Sequence, residues 1–293
     1  MSYPVFFEPK NSFNLFGLKE HFAFLYNLYE KQVIPKVLMF TGNKGTGKST
    51  LINHFLYSIF DKENYDSKKN ILDKNSKFFV HFVKNSFPNI IYIKGSDFKS
   101  VRVDDIRNLK TKIYKSSILN KERFIIFDDI ELFNHNSLNA LLKIIEEPNK
   151  RNHFFLINNK AKPLLETIKS RSLEIKINLN ENLRLEIINK LKDFFKLDFI
   201  LDPSTSRLSP GNFIKFNYIC KEHDISLSND LFENISFLLS LYQKNKDILL
   251  INLIFFIFEY HFTNLSKKNI LKSFKIDEIK NYILDNLNKY ILY

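Results

Sequence analysis

The chain has 293 residues, 44% of them hydrophobic and 15% aromatic, which excludes a disordered tail and leaves room for two or three domains with a sizeable core. Cys220 is the single cysteine, which excludes a disulfide framework and a cysteine-based zinc site and suits a reducing cytosol. The net charge of +12 is what a nucleic-acid partner would favour, but an AT-rich coding sequence, rich in Lys, Asn, Ile and Phe, would produce it too.

The opening residues carry no basic segment followed by an apolar one, so no signal peptide is expected. Asn14–Gly17 reads as a turn. Phe22, Phe24, Leu25, Leu28 and Tyr29 then recur at helical spacing, and Pro35 is expected to break that helix. The apolar run Val37–Phe40 reads as a buried strand. It delivers the chain to Gly42-Asn-Lys-Gly-Thr-Gly-Lys-Ser49, which fits the P-loop pattern G-x-x-x-x-G-K-[ST] without a mismatch. Gly42, Gly45 and Gly47 are half of the six glycines in the chain, so their clustering is not a product of composition. Such a loop turns its N–H groups inward, and the next helix adds its N-terminus to the phosphate cradle. Residues Gly42, Asn43, Lys44, Gly45, Thr46, Gly47, Lys48, Ser49 and Thr50 are therefore the candidate nucleotide-binding set. Lys48 is suited to the β- and γ-phosphates, and the Ser49 hydroxyl to Mg²⁺.

Beyond the loop, Leu51, Ile52, Phe55, Leu56 and Ile59 form the apolar face of a helix. Asp61–Lys77 shows no periodicity and reads as a loop or an insertion. Ile90–Ile93 reads as a strand. Val103, Ile106 and Leu109 give a helix face, with Asp104 in its first turn. Arg123–Asp129 is a continuous apolar run ending in two acids, the pattern of a central parallel strand whose carboxyl end faces a ligand crevice. Behind a P-loop this is a Walker B pattern, with Asp128 as the Mg²⁺ residue. Asp129 stands where an ATPase commonly has a Glu to orient the attacking water, and is about one methylene too short for it.

Leu138, Leu141, Leu142 and Ile145 mark a buried helix stripe, ended by Pro148. His153–Asn159 reads as a strand ending in two amides. Asn158 or Asn159 could orient a water at the γ-phosphate or simply end the strand. Pro163–Ile168 reads as helical, and Leu173–Ile177 alternates as a fifth strand. The first part is thus an α/β domain with a parallel sheet and phosphates at its carboxyl edge. From Glu181 onward no convincing strand appears; helical spacing runs over 183–195, 231–241, 248–262, 271–274 and 276–290, with 201–206 a Pro/Ser/Thr loop. Ser209-Pro-Gly-Asn212 reads as a turn between helices. The longest apolar run, Ile248–Phe258, is about half of a membrane span and reads as a buried helix, so no membrane partner is expected. Phe255, Phe256 and Phe258 cannot all face one side of that helix, which suggests an oligomer contact or burial within one helical domain.

Two segments resemble a known family. Ser137-Leu-Asn-Ala-Leu-Leu-Lys-Ile-Ile-Glu-Glu-Pro148 is similar to the N-A-L-L-K-x-L-E-E-P helix of bacterial clamp-loader AAA+ subunits. Ser170-Arg-Ser172 resembles their S-R-C motif with Ser for Cys. Val103-Asp-Asp-Ile-Arg107 is similar to a V-D-Q-I-R segment of the family's delta-prime branch. The likeness covers most of the first ~215 residues, and implies an α/β P-loop AAA+ domain over 1–178, an all-helical lid over 179–214 and an all-helical C-terminal collar over 215–293. It also implies that Arg171 acts in trans, as a guanidinium fork at the γ-phosphate of a neighbouring subunit.

Three departures from the ATP-hydrolysing gamma/tau branch point to delta-prime. The four-cysteine zinc site is absent, Walker B reads Asp128-Asp129 rather than Asp-Glu, and no arginine follows Arg207 to serve as the lid's γ-phosphate contact. The resemblance thus implies a stator with little or no ATP hydrolysis of its own, binding ATP with Mg²⁺ if anything, with no zinc. Its partners would be gamma/tau and delta subunits in a hetero-pentamer and, through the complex, the sliding clamp and primer-template DNA in the cytoplasm. An active gamma/tau-like ATPase without the zinc site, and a basic nucleic-acid-binding AAA+ protein, stay open as alternatives.

Overall fold

The computed structural model describes residues 3–95, 122–146, 148, 151–227, 230–245 and 247–292. The expected helix over Val103–Leu109, with Asp104 and the V-D-Q-I-R-like segment, lies outside the described residues. By packing, the described chain forms two units: Tyr3–Leu197 with Ser209–Asn212, and Asp198–Leu208 with Phe213–Tyr293.

The first unit is built on five parallel strands. These are β1 (Val37–Thr41), β4 (Ile90–Lys94), β5 (Arg123–Asp128), β6 (Asn152–Asn158) and β7 (Leu173–Lys176), in spatial order β4-β5-β6-β1-β7. Because all five run the same way, the segments leaving β1, β5 and β6 emerge at one edge, as the apolar runs ending in Gly, Asp and Asn predict. β1, β5 and β6 are buried throughout, while β7 at the edge buries only Ile175. Strand alternation sends Leu38, Phe40, Phe124, Ile126, Phe155 and Ile157 to one core and Val37, Met39, Ile125, Phe127, Phe154 and Leu156 to a second.

Helices α1 (Lys19–Glu30) and α2 (Lys48–Phe60) contribute to the first core, and α4 (His135–Ile145) with the short α5 (Glu166–Lys169) to the second. Helix α1 ends five residues before Pro35, at a turn where Gln32 takes φ 58°, so the proline is not what stops it. Helix α2 is buried on every side from Leu51 to Ile59, including Asn53, His54 and Ser58, and is therefore more central than a helix with one apolar face. In α4 the buried stripe uses Ile144 where periodicity suggested Leu142, which is only partly buried. Asn134 caps α4 by accepting the Ser137 N–H at 2.8 Å, and the helix ends at Ile145, before Pro148.

Asp61–Lys77, expected to be a loop, contains a small antiparallel pair, β2 (Tyr65–Asp66) and β3 (Ile71–Leu72). α3 (Lys77–Val83) follows, capped by Ser76. The pairing supplies what the pattern lacked: Tyr65 and Leu72, cross-strand partners, are both buried in the first core. Helix α6 (Glu181–Phe195), expected to open a separate lid at 179, packs on this unit. Phe195 stacks on Phe6 at 4.2 Å, and Ile187 fills the space where a Cβ on Gly17 would stand.

The second unit is helical. It holds most of α7 (Pro210–Glu222), then α8 (Leu231–Asn245), α9 (Ile248–Lys268) and α10 (Ser273–Leu292). Helix α9 packs against both α8 and α10. Phe256 and Phe258 are thereby buried inside the unit and Phe255 partly so, which removes them as an argument for an oligomer contact. The helix extends past the apolar run, so Leu249–Lys268 is long and apolar enough by length and composition to cross a membrane, contrary to the shorter reading. Its buried Leu250, Ile251, Leu253, Ile254 and Ile257 make it the core helix of this unit.

Candidate phosphate site at the carboxyl edge of the sheet

The loop between β1 and α2 has the backbone its glycines imply. Gly45 and Gly47 take φ 85° and 92°, in the left-handed region. No side chain caps α2, so its first-turn N–H groups open toward the loop, the arrangement that receives anions at helix N-termini. Lys48 is buried, and its ammonium donates to the carbonyls of Gly42 at 2.7 Å and Asn43 at 2.8 Å. Burial lowers its pKa to about 8, with Asp128, Glu131 and Asp129 pulling the other way. It remains a cation at neutral pH and can exchange those carbonyls for phosphate oxygens. The Thr46 hydroxyl donates to the Asn43 carbonyl at 3.0 Å, closing the turn. Thr50 lies in the first turn of α2.

Parallel pairing brings the acids to this loop. The Ser49 hydroxyl donates to the Asp128 carboxylate at 3.1 Å, so the two expected Mg²⁺ ligands are adjacent. Hydroxyl plus carboxylate is the oxygen set a hard divalent cation takes, and in this respect the residues fit the ion. Burial raises the pKa of Asp128. Its carboxylate also accepts the Tyr92 hydroxyl and the Asp129 N–H at 2.9 Å. Among the described residues no cluster of three or more His, Cys, Asp or Glu side chains is poised around a metal.

Asp129 has its carboxylate engaged by two neighbouring side chains. It is buried, sits at φ 52°, and receives the Lys44 ammonium at 3.1 Å and the Asn159 amide at 2.7 Å. Asn159 therefore contacts the acid itself. The Asn158 side chain accepts the Lys160 N–H at 2.9 Å, ending its strand, while its carbonyl accepts the Gly42 N–H.

Two residues escaped sequence reasoning. Tyr92, on β4, reaches Asp128 through its hydroxyl, and nothing in the strand Ile90–Ile93 marks it beyond being the one polar tip in an apolar run. Glu131 is buried three residues after Asp128 and accepts the N–H groups of Asn159 and Ala161 at 3.1 and 3.4 Å, which shapes the turn after β6. An acid so close to Walker B was the available signal.

Ser209-Pro-Gly-Asn212, expected to be a turn between helices, holds the start of α7 with Pro210 at its first position, where a missing N–H costs nothing. That start touches the P-loop: Ser209 donates to the Lys44 carbonyl at 2.5 Å, and the Gly211 N–H donates to the Gly45 carbonyl at 2.9 Å. A Cβ at Gly45 would stand 2.8 Å from the Asn212 backbone nitrogen, so this approach also requires glycine.

Arg171 is not part of this site. It follows α5, where Ser170 and Ser172 hydroxyls cap the carbonyls of Thr167 and Ile168 at 3.1 and 3.0 Å. Its guanidinium is partly exposed, bonded to the Thr167 carbonyl at 3.1 Å and the Glu146 carboxylate at 2.8 Å.

Residues 17–181 match the family described as "DNA polymerase III, delta subunit", which is more than half of the chain. The chain belongs to this family. It is 30% identical over 202 residues to the DNA polymerase III subunit delta' of Buchnera aphidicola subsp. Schizaphis graminum, covering 65% of this chain and 60% of that protein. Against the delta' subunit of Bacillus subtilis it is 29% identical over 147 residues, covering 50% of this chain and 43% of that protein. The chain thus spans less than two thirds of the length of these curated relatives. A DNA polymerase III gamma subunit-related protein from Thermotoga maritima aligns over 90% of both chains with a TM-score of 0.44 and 16% identity. The clamp-loader resemblance of the Asn-Ala-Leu-Leu-Lys helix and the Ser-Arg-Ser turn agrees with this membership.

Proposed function

We propose that this chain is the delta-prime, stator subunit of a bacterial DNA polymerase III clamp loader. It would sit in a cytoplasmic hetero-pentamer with gamma/tau and delta subunits that places the sliding clamp on primer-template DNA. Its contribution to catalysis is Arg171, offered in trans to the nucleotide of a neighbouring subunit. The observation that carries this reading is the contrast between two residues. The Asp129 carboxylate is spent on Lys44 and Asn159, whereas Arg171 is held at the surface, away from the chain's own P-loop.

The P-loop would still bind ATP, with phosphates on the loop N–H groups and Lys48, and with Mg²⁺ between Ser49 and Asp128. Such an ion would supply charge neutralisation at the β- and γ-oxygens. Hydrolysis would be weak or absent, because Asp129 is a short side chain with both a cation and an amide on it.

The deciding experiment reconstitutes the complex with gamma/tau and delta subunits and measures its DNA-stimulated ATPase. Arg171→Ala is expected to lower kcat roughly threefold or more, since a finger arginine stabilises charge on the transferring phosphoryl group. Lys48→Ala in this chain is expected to change kcat less than twofold, on the order of what loss of a non-catalytic site allows. If Lys48→Ala were the more damaging, the stator assignment would be wrong and the chain would be an active ATPase subunit.

A further inference from the structure

We infer that Glu146 is the positioning residue of Arg171; this rests on the reading of Arg171 as a finger acting in trans. Three features of the geometry lead to it. Helix α5 is only four residues long, and the turn after it is tied down by its own polar groups. The Ser170 and Ser172 hydroxyls and the Arg171 N–H all bond to carbonyls of Thr167, Ile168 and Lys169. The backbone that carries Arg171 is therefore fixed, and what remains to be fixed is a long side chain with many rotamers.

Second, the guanidinium is gripped on two edges by two different elements. One terminal nitrogen donates to the Thr167 carbonyl at 3.1 Å, in the helix just before it. The other meets Glu146 at 2.8 Å, at the end of α4. A planar fork held at two separated nitrogens has its plane and direction set, and three of its five N–H donors stay available to an anion. Third, Glu146 is itself anchored. It is the C-terminal cap of α4, in helical geometry, and its N–H donates to the Leu142 carbonyl at 3.0 Å. Helix α4 packs beside α5, so the carboxylate approaches from a neighbouring framework element.

The pair is not there for stability. Arg171 is 39% exposed and Glu146 44% exposed, and ion pairs this wet add little to folding. A pair that contributes little to stability yet fixes a reacting side chain is a pre-organisation device.

The test is a double-mutant cycle in the reconstituted complex, with assembly and thermal melting checked for each variant. Glu146→Ala is expected to lower kcat roughly threefold or more with KM for ATP unchanged, as loss of an orienting partner does. Glu146→Gln, near-isosteric and still an acceptor, is expected between Glu146→Ala and the unsubstituted chain. In the Arg171→Ala background, Glu146→Ala is expected to have no further effect. Normal activity of Glu146→Ala beside an impaired Arg171→Ala overturns this inference alone. An equal loss from Glu146→Ala in both backgrounds overturns it too, by making Glu146 a structural residue. A rise in kcat would overturn it by making the carboxylate a competitor. If Arg171→Ala itself were silent, the finger reading would fall and this inference with it.

Discussion

His54 is buried in the middle of α2, where a cation has no counter-charge. Its Nε2 lies 3.0 Å from the Ser12 carbonyl, which can only accept, so Nε2 carries the proton. Nδ1 is then the acceptor for the Tyr65 hydroxyl at 3.2 Å. Burial pushes the pKa down to about 4. The sign of the pH dependence follows. Between the ordinary value near 6.5 and 4, the unfolded chain binds the proton and the folded chain does not, so stability falls as pH drops through that window. The shift is on the order of 3 kcal/mol at most. Melting temperature is expected to decline from pH 6.5 to pH 4, and His54→Gln is expected to flatten that decline while lowering stability at pH 7. An unchanged slope in the variant would show that another group carries it.

The decisive element is the join between β1 and the P-loop. Gly42 follows β1 directly, and a Cβ there would lie 2.4 Å from the Ile177 carbonyl. The neighbouring Ile177 N–H donates to the Thr41 carbonyl at 2.8 Å, so the two backbones cannot separate without losing that bond. Gly42→Ala is expected to cost about 1–3 kcal/mol as overpacking against backbone. It should therefore lower the melting temperature by about 3 °C or more, read by calorimetry. No change would mean that the β7 edge yields freely. Glycine at 42 thus serves strand packing as well as any phosphate.

At the scale of the whole molecule, the charge of +12 is the property that invites a nucleic-acid role. Some of that charge is locally paired, Lys44 with Asp129, Lys62 with Glu30, Lys190 with Glu186 and Lys221 with Asp198. The isolated chain is expected to bind duplex DNA weakly, with a log–log salt slope no steeper than about −3. Tight binding with a slope of about −6 or steeper would favour the basic DNA-binding reading over the stator.

Much of the site was legible in the sequence because its signals are local. A P-loop needs Gly, Lys and Ser at set spacings, a buried parallel strand is an unbroken apolar run, and Asp128, Asp129 and Asn159 each stand at a strand end. Strand direction then forces those ends together. What the tertiary structure alone decided is which group each side chain meets across the chain. Lys44 and Asp129 are 85 residues apart, Tyr92 and Asp128 36, and Ser209 and Lys44 165, so no local pattern records them. The same reason hid the β2–β3 pair, the attachment of α6 to the sheet unit and the burial of the α9 phenylalanines. Spacing along the chain determines which groups are present. Non-local contacts determine which of them are already engaged, and here they engage Asp129 and leave Arg171 near the surface.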